Sequence, residues 1–131
     1  FEPLSREAES ASLDDEDYEF TGKKLQAYIL HGVRYTVNTW KEMLIQVCGH
    51  ILIEKRSTIE WLCANEKCGF STTQEDWRRE LAPGLYVWTD NSTASKISIL
   101  RGIFEECNIP ASELIFEFRS EQEGEDEELF L

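Results

Sequence analysis

The acidic residues of this chain are gathered at its two ends, and that division most constrains where a core can form. Residues 1–20 hold eight acids against one base, and residues 120–131 hold six acids and no base. Residues 21–119 are balanced at twelve of each, so the net charge of −13 belongs to the ends. Runs of like charge with few apolar residues bury too little surface to offset chain entropy. The organisation expected is therefore an acidic N-terminal tail at 1–20, a compact domain at 21–119 and an acidic C-terminal tail at 120–131. A sharper use of the tails is open, because Tyr18 and Phe20 in one and Leu129, Phe130 and Leu131 in the other sit among the acids. Such segments suit contact arms on a basic, partly apolar surface. Their sign excludes nonspecific nucleic-acid binding through them.

Within 21–119 the periodicities are readable. Two β-rich runs flank His31-Gly32, a pair suited to the positive backbone angles of a hairpin turn. Thr39-Trp40-Lys41-Glu42 is a capping box. Behind it Trp40, Met43, Leu44, Val47, Cys48, Ile51 and Leu52 recur at helical spacing, which predicts an amphipathic helix from about Trp40 to about Lys55. Ile59, Trp61 and Leu62 continue it or form a short second segment, with Trp40 and Trp61 on the buried stripes. Trp77–Leu81 reads as one or two helical turns stopped by Pro83-Gly84. Leu85–Thr89 is a dense β-former run, expected as a central strand. Ile97, Leu100, Ile103, Phe104 and Cys107 form the stripe of a further helix, capped somewhere in Asp90–Thr93 and stopped at Asn108 and Pro110. Leu114–Phe118 is the last strand. The fold class expected is α+β in the order ββαβαβ, with a mixed sheet of about four strands and two helices on one face.

The chemistry-bearing residues do not assemble into a catalytic pattern. There is no GxSxG, phosphate loop, HExxH or calcium-loop motif, and the only histidines are His31 and His50. A non-enzyme without cofactor is the reading. Cys63 and Cys68, with four residues between them, are at the loose end of spacing for a zinc half-site. The remaining ligands of a zinc-stabilised adaptor would be Cys48 and His50, yet Cys48 is required by the helix stripe. No metal is expected, and the four cysteines are read as free thiols of a cytoplasmic protein, with a Cys63–Cys68 disulfide geometrically open. No apolar run approaches the ~20 residues of a membrane span, so no membrane partner is expected.

Aromatic and basic residues carry more information. Trp77 stands beside Arg78 and Arg79, a grouping suited to anchoring a partner. Tyr86 and Trp88 alternate with Leu85, Val87 and Thr89, so both faces of that strand are apolar or aromatic and one of them needs a cover. The binding surface expected is Trp77, Arg78, Arg79, Tyr86 and Trp88, engaging a protein partner or a second copy. The alternative is a nucleic-acid recognition domain using Lys23, Lys24, Arg78 and Arg79, which the neutral core and repulsive ends disfavour.

The hairpin leading into Thr39-Trp40-Lys41-Glu42, the Phe70-Ser71 step and the aromatic strand ending in Thr89-Asp90-Asn91-Ser92 together resemble a small α+β domain of uncharacterised bacterial proteins. That domain is appended to restriction-like and other DNA-processing or defence proteins. The resemblance spans about residues 25–118, and its motifs are structural rather than catalytic. Cys63-x4-Cys68 and both acidic ends depart from it. It implies an accessory or recognition module and no transferable activity, which agrees with a non-catalytic interaction or regulatory domain.

Overall fold

The computed structural model of the chain describes residues 9–119. The elements in order are β1 (Ser10–Ser12), β2 (Leu25–Leu30), β3 (Val33–Thr36), α1 (Trp40–Glu54), α2 (Arg56–Ala64), β4 (Phe70–Ser71), β5 (Arg78–Ala82), β6 (Leu85–Trp88), α3 (Thr93–Glu106), a 3-10 turn (Ala111–Glu113) and β7 (Leu114–Phe118). The fold is α+β, and the hairpin and last strand lie in a four-stranded sheet of order β1-β7-β2-β3. Leu85–Trp88 instead lies at the centre of a second sheet, of order β4-β6-β5. Every pairing in both sheets is antiparallel. The second sheet arises because β6 pairs with its near neighbours in the chain, which short connections favour over a crossover.

Local signals place the first sheet and its helix. His31 and Gly32 take φ of 53° and 82°, the left-handed pair that joins β2 to β3 without splaying the strands. Thr39 Oγ1 accepts from the Glu42 amide at 3.0 Å, and the Glu42 carboxylate in turn accepts from the Asn38 amide at 3.2 Å. Four orphan donors begin every helix, and this exchange satisfies part of that set. Ser92 caps α3 in the same manner, accepting from the Ser95 amide at 3.1 Å. The stripes of α1 and α3 are buried as their spacing requires, and one apolar cluster joins residues of both sheets and all three helices.

Three expectations are corrected. The acidic segment 1–20 is not a tail throughout, because residues 9–20 belong to the fold. Ser10–Ser12 pair with β7, while Ala11, Leu13 and Phe20 are buried. Phe20 meets Phe116 edge-on at 5.5 Å and Tyr18 stacks on Phe118 at 5.6 Å. The acids Asp14–Asp17 are exposed, so a charge average over the segment hid apolar residues that point the other way. The expectations for residues 1–8 and 120–131 fall outside the described residues. Secondly, Trp77–Leu81 is no helical turn: Arg78–Ala82 is a strand, and Pro83-Gly84 is its hairpin loop to β6. Pairing with β6 overrides a weak local preference. Thirdly, Trp61 is 48% exposed rather than core. Lys55 breaks the helix at φ −133°, ψ 52°, and α2 buries Ile59, Leu62 and Cys63 instead. No helix among the described residues is long and apolar enough to cross a membrane.

Candidate functional site

Of the two faces of β6, only one is covered. Leu85, Val87 and Thr89 point into the protein and are buried, while Tyr86 is half-buried and Trp88 is 38% exposed. Residues opposite each other across a ladder share a face. Arg78 is opposite Trp88, and Glu80 is opposite Tyr86, so both charged side chains join the open face. Arg79 is opposite buried Val87, on the other side of β5 from Arg78, and is exposed at the sheet edge.

Arg78 organises this face. Its Nη1 donates to the Thr73 carbonyl at 2.9 Å, and its guanidinium lies 5.8 Å from the centre of the Trp77 ring. Trp77 is 43% exposed, and its carbonyl accepts from the Thr89 amide at 3.0 Å, which fixes its backbone beside the end of β6. One guanidinium is therefore held by a carbonyl, stacked near one tryptophan and paired across the ladder with another. Cations over indole faces contribute about 0.5–1 kcal/mol at exposed sites.

The floor under Trp88 is built from backbone. The Trp88 amide donates to the Gly69 carbonyl at 2.8 Å. Gly69 has φ of 78°, and a Cβ there would stand 3.1 Å from Ile99 Cδ1 and 3.5 Å from Trp88 Cβ. Beyond β6, Asn91 Nδ2 donates to the Trp88 carbonyl at 3.1 Å, and Lys96 Nζ donates to the Asn91 carbonyl at 2.7 Å. Lys96 is buried, and that burial lowers the pKa of its ammonium. These contacts tie the loop after Trp88 to α3.

Other expected residues lie elsewhere. Lys23 is paired with Glu9 at 3.2 Å, and Lys23 and Lys24 adjoin the four-stranded sheet, whereas Arg78 and Arg79 lie in the three-stranded one. Cys48 and Cys63 are buried and Cys68 is half-buried; all four cysteines are free. His50 points toward the hairpin, its Nε2 3.1 Å from the Tyr28 hydroxyl. No cluster of three or more metal-ligating groups exists among the described residues. The four residues of the alternative zinc reading, Cys48, His50, Cys63 and Cys68, do not form such a cluster, since helix geometry turns Cys48 to the core and His50 to the sheet.

A polar seam went unread in the sequence. Glu42, Gln46, His50 and Glu54 follow one another at four-residue steps along α1 and meet the β2–β3 hairpin. Tyr28 donates to Gln46 Oε1 at 3.0 Å, and His50 lies 4.6 Å from the Tyr35 ring, centre to centre. Burial raises the Tyr28 hydroxyl well above the ordinary phenol range, so it stays a donor. At the far end His31 Nδ1 is 2.9 Å from Glu113 and Nε2 is 3.1 Å from Glu54. The repeat of polar side chains every fourth residue was the signal that could have found the seam. No family, curated protein or solved structure matches the chain.

Proposed function

We propose that this is a non-catalytic protein-interaction or regulatory module, and that it binds through the open face of its three-stranded sheet. The observation that supports the reading is Arg78, whose guanidinium lies 5.8 Å from the ring of exposed Trp77 and which stands opposite exposed Trp88 in the ladder, with Tyr86 further along β6. Trp, Tyr and Arg are the residue types that dominate binding energy at protein contacts. Here the backbone of Trp77 and Trp88 is fixed by Gly69, Thr89 and Asn91, and the Arg78 side chain by Thr73, which reduces the ordering entropy to be lost on docking. The charge on this face is mixed, since Arg78 has Glu80 on the same side, which suits a protein surface better than a phosphate backbone. An accessory role beside other domains fits such a module.

The test combines sedimentation with photo-crosslinking from a reactive residue placed at position 88. A discrete crosslinked partner or a second copy is expected. Trp77→Ala or Arg78→Ala should weaken that association by about 1–3 kcal/mol. Their thermal unfolding should remain within about 0.5 kcal/mol of the parent, as for other surface changes. Unfolding of the domain by Trp77→Ala would make the residue structural and overturn the reading.

A further inference from the structure

We propose that His31, Glu54 and Glu113 form a proton-operated clasp that holds the joint between α1 and α2. The contacts lie at 2.9 Å from Nδ1 to Glu113 and 3.1 Å from Nε2 to Glu54. A neutral imidazole has one N–H and one lone pair, whereas the imidazolium has two donors. Only the charged ring satisfies two carboxylates at once. The charged groups facing His31 are Glu54 from the end of α1 and Glu113 from the 3-10 turn, and both are anionic. Their hydrogen bonds, that of Glu113 foremost, raise the His31 pKa above its ordinary value, against the opposing effect of partial burial.

The position of Glu54 argues for a purpose beyond solvation. It is the last residue of α1, where the helix carbonyls already concentrate negative charge and an acid is disfavoured. The next residue, Lys55, both ends α1 and begins α2, and no side chain caps α2. Two hydrogen bonds meet at this joint: the Lys55 amide donates to the Ile51 carbonyl at 2.7 Å, closing α1, and the Ile59 amide donates to the Lys55 carbonyl at 3.1 Å, opening α2. The joint is thus secured on one side by the His31 contact and lacks a side-chain cap on the other.

Loss of the proton has a direction. The Nδ1 contact to Glu113 is the shorter of the two, 2.9 Å against 3.1 Å, which favours keeping the remaining N–H on Nδ1 and leaves the Nε2 lone pair against Glu54. Because the folded pKa is raised, the clasp contributes fully below the unfolded value of about 6.5 and is lost as pH rises through the folded value. Alkaline conditions then loosen the end of α1, and with it α2, which packs on β4 and β6 of the three-stranded sheet.

The experiment follows the His31 imidazole resonances by NMR. In parallel it measures amide exchange at Lys55 and Ile59, corrected for intrinsic rates, from about pH 5.5 to about pH 8.5. His31 should titrate above about 6.5, and protection at the joint should fall roughly two- to fivefold through that titration. His31→Asn keeps a residue that tolerates the left-handed turn, and Glu54→Gln leaves the turn untouched. Both should abolish the pH response, and Glu54→Gln should also lower the His31 midpoint. A His31 midpoint at or below about 6.5, protection that does not follow it, or an unchanged response in His31→Asn would each overturn the clasp.

Discussion

Tyr28 shows how a single hydroxyl connects a sheet to a helix. The ring is fully buried, stacked at 5.0 Å on Tyr35, and its oxygen serves both Gln46 and His50. Tyr28→Phe keeps the packing and removes the bond to half-buried Gln46, which costs about 0.5–1.5 kcal/mol, the net contribution of a typical hydrogen bond. Chemical denaturation should register that loss, and a neutral result would mean that water reaches the seam. The cysteines differ in kind from this network. Burial, the largest influence on each, raises all four thiols, and carries Cys107 to about 11. A thiol reacts as its thiolate. Under native conditions near neutral pH, Cys68, the one half-buried member, should react first with a thiol reagent and the other three only on unfolding. Equal reactivity of all four would contradict the buried positions of Cys48, Cys63 and Cys107.

Among the elements, β1 is short but firmly tied in. It is three residues long, yet it edges β7 and leads to Leu13, which is fully buried and whose amide donates to the Leu114 carbonyl at 2.9 Å. Arg101 of α3 donates back to the Leu13 carbonyl at 3.0 Å and to the Asp15 carbonyl at 3.3 Å, so this segment bridges the sheet and a helix. Leu13→Ala should destabilise the protein by about 2–5 kcal/mol, the range for a buried leucine cut to alanine. A change under about 0.5 kcal/mol in an equilibrium unfolding curve would return residues 9–20 to the status of a tail. The β5–β6 hairpin has the opposite balance. Its inner side is anchored by Leu85 and Val87, and its outer side spends little on stability, which leaves Trp88 and Arg78 available for contact.

At the scale of the molecule, the two sheets do not have separate cores. Phe70 and Val87 from the small sheet join Tyr28 and Phe116 from the large one in a single apolar cluster that also takes in residues of all three helices. Sharing one core couples the sheets thermodynamically, and small domains with one core unfold in one step. Melts followed by far-UV dichroism and by tryptophan emission should therefore coincide, since Trp40 reports on the large sheet and Trp88 on the small one. Separate transitions would show that the three-stranded sheet unfolds on its own.

Where an interaction is completed within a few residues, the sequence alone determined it. The Thr39–Glu42 capping exchange, the His31-Gly32 turn, the apolar stripes of α1 and α3 and the strands at Leu85–Trp88 and Leu114–Phe118 all belong to this class. So does the candidate surface in part: the alternation around Tyr86 and Trp88 already required one face of that strand to find a cover. Which face stayed open was decided only by tertiary structure, because it depends on β6 pairing with β5 and β4 and on where Leu85 and Val87 find a core. The same holds for Leu13 and Phe20, whose burial among acids needs β7 and α1 in place. It holds as well for His31, whose two carboxylates are 23 and 82 residues away along the chain. Local backbone preference acts over a turn or two of chain, whereas burial and charge pairing act through space, and only the folded chain sets those distances.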